Sequence, residues 1–383
     1  MSTFLSAAEI GTGGAKSLAG AYYSSPEIFA AEQQAVFSKH WLCAARVESL
    51  SQPGDFVVRT LGHESVILVR DQQGKARAFH NVCRHRGARL CVEECGSLRR
   101  TIQCPYHAWT WSLDGELVAA PTMDELAGFD RTDYPLLEAG LAEWAGYYFI
   151  TFGEPALPFA EAYAPVLTRF DRYNLASLRS AGKIEYDVAA NWKLIFENYS
   201  ECYHCPTIHP QLVKLSPADS GANDLGAGPF LGGYMLVPRA GGSMTNSGDA
   251  CAMPVSDLPA EDLQRVYYYT LFPNVLLSLH HDFVMVHTLW PESPGRTRIE
   301  CEWLFHPEAA AAPGYDPKDG IEFWDHTNRQ DWAICERTQL GVSSAAYVPG
   351  PYAPRDSISA AFDAEYLRVM REAGVMREAG HQR

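Results

Sequence analysis

A chain of 383 residues, 47% hydrophobic and 20% charged, is long enough for two or three domains with ordinary cores and has the composition of a globular protein. Its 31 basic residues fall short of its 46 acidic ones, and the resulting net charge of −15 repels phosphate backbones and anionic membranes, so nucleic acid is not an expected partner. No run approaches the ~20 apolar residues of a membrane span, and residues 1–21 lack a basic stretch followed by an apolar block; no membrane and no export are expected, and a cytoplasmic location is.

Ten cysteines in such a chain are expected to be thiols, available as metal ligands or small hydrophobes. Residues 1–21 are expected to be a flexible tail, since Gly11-Thr12-Gly13-Gly14 follows no strand and lacks a phosphate-loop pattern. The first helix is predicted near Ser25-Pro26. Ser24 and Glu27 have capping-box spacing, Pro26 suits a first helical position, and Ile28, Phe29, Val36 and Phe37 form an apolar face.

From Asp55 the period becomes that of strands, at 55–61, 65–70 and 76–82, then 101–104 and 108–113 before a turn at Asp114-Gly115, then 146–151. These form a small all-β unit over 41–155, bounded by Pro155 and Pro158, with an N-terminal segment at 1–40 and a second domain at 156–383. In the second domain, 184–188 reads as a strand and 191–205 as a helix with Trp192, Ile195, Phe196 and Tyr199 on one side. Residues 216–260, rich in Gly, Ser, Pro and Asp, are expected to be long loops over a pocket. An antiparallel meander is predicted at 267–272, 275–279, 283–290 and 298–305, and a helix at 320–340. The tail repeats Val-Met-Arg-Glu-Ala-Gly at 369–374 and 375–380, a period that fits neither helix nor heptad and reads as a frayed terminal helix. The fold class is α+β.

Within the β unit, Cys83-Arg84-His85 and Cys104-Pro105-Tyr106-His107 form a C-x-H and a C-x-x-H pair with eighteen residues between them. Two thiolates and two imidazoles could hold tetrahedral zinc. A Rieske [2Fe–2S] centre needs two Cys on one iron and two His on the other, from two loops of a small β domain, and Gly87 and the run Trp109-Thr110-Trp111 favour it. Such a cluster is a one-electron relay. Cys91 and Cys95 lie between the loops and read as packing or exposed thiols.

A relay implies a destination. His204 and His209 are five apart, about 140° around an ideal helix, and Pro206 can bend the chain so that both rings converge. A carboxylate would complete the 2-His-1-carboxylate set of non-haem Fe(II) oxygenases. In the helix at 320–340, Ile321, Trp324, Asn328, Asp331, Cys335 and Thr338 follow helical spacing, so Asp331 interrupts an inward stripe, a costly place for a carboxylate unless a cation meets it. Asp325 and Glu336 lie off the stripe and read as solvated. Asp331 is the expected third ligand.

From Cys83-x-His85 and Cys104-x-x-His107 through Glu197-Asn198 to His209 and Asp331-x-x-x-Cys335-Glu336, the chain resembles the α subunits of Rieske non-haem iron oxygenases, the aromatic-ring-hydroxylating type. The resemblance spans about residues 40 to 350 and implies a Rieske domain joined to a helix-grip catalytic domain with an antiparallel sheet, in a head-to-tail homotrimer. It also implies that an acidic residue three before the first iron His bridges to a Rieske His of a neighbouring subunit. Glu201 stands there, where Asp is commoner. Electrons would come from NAD(P)H through a flavin/iron–sulfur reductase component, since this chain has no nucleotide fingerprint of its own, and O₂ would be the co-substrate. Asn198 is a candidate for lining the iron site; a helix-capping or buried-amide role is equally open.

Glu201-Cys202-Tyr203-His204-Cys205-Pro206-x-x-His209-Pro210 and Gly341-Val342-x-Ser344-x-Ala346-Tyr347-x-Pro349-Gly350-Pro351 look most like the branch acting on quaternary ammonium compounds: glycine betaine, carnitine and stachydrine oxygenases. That branch implies hydroxylation of an N-methyl carbon and demethylation. A trimethylammonium favours aromatic walls, for which Tyr203, Tyr267, Tyr269, Phe283 and Trp303 are candidates, each also readable as core. His281 and His287 read as hydrogen-bonded strand histidines. Ring hydroxylation of an aromatic acid or hydrocarbon is the competing activity, and a Rieske electron-transfer protein without catalytic iron is the competing class.

Overall fold

The computed structural model describes residues 4–375, in two compact units. Phe37–Glu161 forms one unit. The chain up to Val36 and the chain from Ala162 onward form the other.

The first of these is all β. Asp55–Leu61, Glu64–Arg70 and Ala76–His80 form a meander, with the short strand Cys95–Ser97 on its far edge. Thr101–Gln103, Thr110–Ser112 and Leu117–Ala119 make a second antiparallel sheet; Leu42–Arg46, Tyr147–Thr151 and Gly140–Trp144 make a third. The apolar positions of the first two sheets meet in one core that includes Ile67, Val69, Phe79, Ile102 and Trp111, and Cys83, Cys104 and Trp109 are packed into it. Strands 42–46, 95–97, 117–119 and 140–144 are not evident from the sequence, being only three residues long or lacking an alternating burial pattern.

The other unit is built on a seven-stranded antiparallel sheet in the order Arg179–Val188, Arg296–Phe305, Val284–Ser293, Val275–Leu279, Arg265–Leu271, Phe230–Leu236, Ala222–Leu225. The long helix Pro317–Val342 packs against strand 179–188 and against helix Trp192–Tyr199, which in turn packs on the C-terminal helix Ser357–Glu372. The first copy of the tail repeat ends that last helix; all of the second after Val375 lies outside the described residues.

Four local expectations are corrected. The segment 216–260 is not wholly loop, because it contributes the last two strands of the sheet. Its glycines are there for close approach: Gly232 has φ +134°, and a Cβ on it would collide with the Tyr268 carbonyl, as one on Gly233 would with that of Ala222. From Phe4 onward the N-terminal segment is docked, not a flexible tail. Leu5 and Asn223 exchange backbone hydrogen bonds (2.8 and 2.7 Å), Ser6 and Glu9 form a capping box on helix Ala7–Ile10, and Lys16 bridges to Pro351. The cap of helix Pro26–Glu32 is Ser25, whose Oγ accepts the Ile28 N–H (3.1 Å), not Ser24. The helix expected at 191–205 is broken: it stops at Tyr199, where the Ser200 hydroxyl bonds back to the Phe196 carbonyl (2.5 Å), and Pro206 lies in a new turn at Cys205–Ile208.

Behind helix Trp192–Tyr199 lies a buried polar network. Lys193 Nζ donates to Glu32 (2.6 Å), and Trp192 Nε1 (2.9 Å) and the Tyr366 hydroxyl (2.6 Å) donate to the same carboxylate. One turn on, the Glu197 carboxyl accepts from the Tyr23 hydroxyl (2.9 Å) and faces Asp363, which accepts from Tyr352 (2.6 Å). Glu197 keeps some exposed surface, but its carboxyl is bonded inward. Lys193, the cation whose charge reaches both carboxyls, is already paired with Glu32, so the two cannot both ionise cheaply. Burial, reinforced by the Asp363 charge, pushes Glu197 well above the usual carboxyl range, and burial pushes Asp363 up to about 6.

The unfolded chain loses these protons in the ordinary carboxyl range, while the folded chain keeps them. Stability therefore falls as pH rises from that range through about 6 and beyond, by about 1.4 kcal/mol per pH unit for each retained proton. Glu197→Gln, neutral at every pH, is expected to flatten the decline in melting temperature between pH 5 and 8. An unchanged slope in the variant would show that the pair does not set it.

Candidate active site

The iron-site candidates converge in the second unit. His204 Nε2 lies 3.2 Å from His209 Nε2, and Asp331 Oδ1 lies 2.8 Å from His209 Nε2 and 3.3 Å from His204 Nε2. Among the described residues these three form the one group of three or more potential ligands whose donor atoms all lie within 4.8 Å of one another. Two imidazoles and one carboxylate, gathered on one side with a cavity on the other, fit an Fe(II) ion of the facial-triad type.

The chain builds this locally. After the helix stops at Ser200, the Glu201 carboxylate accepts the backbone N–H groups of Tyr203 and His204 and closes a turn, while its Oε1 takes the His204 Nδ1–H at 2.5 Å. His209 ends the next turn, and its Nδ1 is held by Gln330 Oε1 (2.7 Å), itself fixed by Gln211 Nε2 (2.8 Å). Both rings thus have Nδ1 occupied and Nε2 turned to the centre, the tautomer a metal ligand needs. Without a metal, burial disfavours the His204 imidazolium, but Asp331 and Glu201 outweigh it and hold the pKa up to about 10, so iron binding there would displace the Nε2 proton. Burial would raise Asp331, but the two imidazoles hold it below the ordinary carboxylate range.

Gln330 was not among the residues the sequence pointed to, because an amide beside a carboxylate on a helix carries no signature. Gln330→Leu is expected to lower Fe(II) affinity about 10–100-fold by freeing the His209 ring. Metal titration of the stripped protein measures this; wild-type affinity in the variant would mean the contact is incidental.

The stripe on the long helix holds with one exception. Thr338 is exposed and Gln339 takes its place inside. Asp325 and Glu336 are not simply solvated: Asp325 accepts from the Tyr186 hydroxyl (2.9 Å), and Glu336 accepts the Ala189 N–H (3.0 Å). Cys202 and Cys205 form a disulfide across the turn that carries His204, their Cα atoms 4.9 Å apart; the other eight cysteines are thiols, Cys91 buried and Cys95 exposed.

A cavity of about 330 Å³ opens on this group. Asn198 lines it, along with Tyr199, Tyr203, Tyr234, Tyr268 and Trp324. Of the expected aromatic walls only Tyr203 lines the cavity. Side chains on a strand alternate, and on strand Arg265–Leu271 the even positions Tyr268 and Thr270 face the cavity. Tyr267 and Tyr269 face the other way, bonded to Asp262 (2.7 Å) and Asp224 (3.0 Å), while Phe283 and Trp303 are core. His281 bonds through Nε2 alone, to the Gly242 carbonyl (3.1 Å). His287 is buried beside Asn328 and Trp332, and burial lowers its pKa to about 4, so it is a neutral core residue.

In the β unit the two motifs sit on matching turns. Cys83 N–H bonds the Ala88 carbonyl (2.8 Å) and Gly87 N–H the Cys83 carbonyl (3.0 Å). Cys104 N–H bonds the Trp109 carbonyl (2.8 Å) and Ala108 N–H the Cys104 carbonyl (3.1 Å). Each turn closes on a left-handed residue, Gly87 (φ +73°) and Ala108 (φ +56°). Asn81 staples the first loop, its side chain bonding Leu90 and Cys91 (2.6–2.9 Å).

The result is two buried thiols on one side and two imidazoles, ring centroids 4.8 Å apart, on the other. Burial and the neighbouring Cys104 raise the Cys83 pKa. His85 stacks on Trp109, and its Nδ1 is buried with no partner in the protein. Two thiols paired on one side and two imidazoles on the other fit a [2Fe–2S] cluster in which each pair would hold one iron.

Comparison with known proteins decides the family. A model of the Rieske [2Fe-2S] domain matches residues 40–130, and a model of the ring hydroxylating alpha subunit (catalytic domain) matches residues 175–372. The chain belongs to the ring-hydroxylating α subunits. It is similar to the glycine betaine monooxygenase oxygenase subunit of Pseudomonas aeruginosa, 33% identical over 364 residues that cover 88% of this chain and 84% of that one. It also matches the carnitine monooxygenase oxygenase subunit of Escherichia coli, 37% identical over 193 residues, 49% of this chain and 51% of that one. Among solved structures it is similar to the quaternary ammonium Rieske monooxygenase CntA with L-carnitine (TM-score 0.75, 26% identity, 94% and 96% covered). It shares the fold of naphthalene 1,2-dioxygenase from Rhodococcus (TM-score 0.75, 20% identity, 92% and 94% covered).

As a ring-hydroxylating α subunit the chain is the terminal oxygenase of a system that includes a reductase, with a Rieske cluster and a mononuclear iron as cofactors. Zinc at the Cys/His quartet is thereby set aside, as is an electron-transfer role without catalytic iron. Among the described residues no helix is long and apolar enough to cross a membrane.

Proposed function

We propose that this oxygenase demethylates a quaternary ammonium compound. The observation that carries the reading is the cavity against His204, His209 and Asp331, walled by Tyr199, Tyr268 and Trp324, with ring centroids 6.1 Å (Tyr199–Tyr268) and 6.2 Å (Tyr268–Trp324) apart. Aromatic faces replace the hydration of a trimethylammonium without a salt bridge that would trap it. The names of the related glycine betaine and carnitine enzymes support the same substrate class.

In this reading Cys83, Cys104, His85 and His107 hold the cluster, and His204, His209 and Asp331 hold the iron. When bound, the cluster delivers electrons singly and the iron activates O₂. Glu201 and Gln330 orient the two histidines, the aromatic walls present an N-methyl carbon to the open side of the triad, and Ser6 to Ala8 of the docked N-terminus help exclude water. Overall, one methyl carbon, O₂, two electrons and two protons give the N-hydroxymethyl compound and water. The hemiaminal then collapses to formaldehyde, a proton and the demethylated amine. Asn198 is assigned to the cavity wall.

The electrons come from NAD(P)H. The working assembly is a head-to-tail homotrimer in which Glu201 links His204 to the cluster of a neighbouring subunit, and the location is cytoplasmic.

The test is NAD(P)H-driven turnover with a reconstituted reductase, measuring formaldehyde across quaternary ammonium compounds and aromatic acids. Formaldehyde in proportion to quaternary ammonium consumed is expected. Ring-hydroxylated product without formaldehyde would replace this reading with the aromatic one.

A further inference from the structure

Arg355 is the one Lys or Arg among the described residues that line the active-site cavity. It sits on the rim, in the short 3₁₀ turn Pro354–Asp356. Its backbone is pinned, since Pro354 opens the turn and the Asp356 carboxylate accepts the Ala353 N–H at 2.8 Å. The turn packs against the docked N-terminal helix Ala7–Ile10, so Ser6, Ala7 and Ala8 complete the same rim.

The side chain, by contrast, is exposed, and no hydrogen bond or ion pair within the described residues engages its guanidinium. In so acidic a chain other surface arginines find carboxylates: Arg296 pairs with Asp187, Arg329 with Asp325, Arg368 with Glu365. Two carboxylates besides Asp331 line the cavity. Glu201 is committed to His204 and its own turn, and Asp219 is exposed on the rim. The cavity thus runs from an aromatic, uncharged interior beside the metal ligands to a rim carrying an uncommitted guanidinium.

A guanidinium on a pinned backbone binds a planar carboxylate through two parallel N–H bonds, which neither an ammonium nor an aromatic wall can reproduce. A substrate with a cationic end and an anionic end fits this polarity in one direction. Its quaternary nitrogen goes inward to the aromatic walls and its carboxylate outward to the rim. We propose that Arg355 is the specificity-determining residue of this oxygenase, binding the carboxylate of a zwitterionic quaternary ammonium substrate and rejecting those that lack one. The inference rests on the quaternary ammonium reading above and narrows it to betaine-type zwitterions.

The experiment compares glycine betaine with choline, which keeps the trimethylammonium but carries a hydroxyl in place of the carboxylate. Formaldehyde release is measured for the holoenzyme and for Arg355→Ala, Arg355→Lys and Asp219→Asn, and betaine affinity by calorimetry. Wild type is expected to prefer betaine. In Arg355→Ala the betaine-to-choline ratio of kcat/KM should fall about 10–100-fold, mainly through KM, with betaine affinity falling in parallel. Arg355→Lys should recover part of the ratio, and Asp219→Asn should not lower it.

An Arg355→Ala ratio within about threefold of wild type, in an enzyme that does demethylate betaine, would overturn the assignment while leaving the demethylase reading intact. A wild type that releases formaldehyde from none of glycine betaine, carnitine, stachydrine and choline overturns the demethylase reading, and this inference with it. The visible spectrum of the Rieske cluster, retained in each variant, establishes that the chain is folded.

Discussion

Asp331→Ala is expected to lower the iron content from about three to about two per chain and to abolish product formation, while the visible spectrum of the cluster is unchanged. Among the described residues, Asp331 Oδ1 is the one carboxylate oxygen that closes the triangle with His204 Nε2 and His209 Nε2. Without it, two imidazoles remain, too few donors to retain Fe(II) against water. The fold should tolerate the change. The side chain keeps 17% of its surface exposed, and its polar partners in the protein are the two histidines. Asp331→Glu is a sharper variant, since it keeps the charge and moves the oxygen by one methylene. It should bind iron more weakly than wild type but better than the alanine variant. Full iron and turnover in Asp331→Ala would remove this residue from the ligand set and direct the search to Glu201, the other carboxylate in contact with His204.

Glu201→Gln is expected to separate iron binding from electron delivery. Glu201 Oε1 accepts the His204 Nδ1–H at 2.5 Å, so the carboxylate sets the ring's tautomer and, in the proposed assembly, would extend the site outward from the iron. An amide of the same shape can still accept that bond through its oxygen but carries no charge. Iron content should stay near wild type and the isolated cluster should still take up electrons from the reductase. Reoxidation of the reduced cluster in the presence of substrate and O₂ should slow on the order of 100-fold, with product formation slowing in step. This split distinguishes a bridging role from a merely structural one, which would lower iron content and leave the reoxidation rate per iron unchanged. Glu201→Asp, with the side chain of the commoner residue at this place in the family, is expected to lie between the two.

The chemistry of this protein was legible in its sequence wherever the chemistry restricts residue type and spacing. A Rieske cluster needs two thiols and two imidazoles from paired loops, and Cys83, His85, Cys104 and His107 occupy matching turns. The periodicity of the long helix pointed to Asp331 as a carboxylate on an inward stripe, and the fold sets it beside His204 and His209, where the proposed facial triad would use it. The meander was legible because alternation survives where strands are long and one face is buried.

What surrounds these donors came from tertiary structure. Gln330 acts by where its amide lands against His209, which no spacing announces. Gly232 and Gly233 resemble loop residues in sequence and are strand residues in space, because a neighbouring backbone occupies the volume of their missing side chains. Tyr268 and Tyr267 are equivalent as composition, and the face of the sheet that meets the cavity decides between them. Ser6 to Ala8 and Arg355 are more than 300 positions apart and share one rim. The sequence by itself determined which metals the chain can hold, because ligands are a matter of element and charge. The tertiary structure decided what those metals face, because a pocket is made of surfaces brought together by folding.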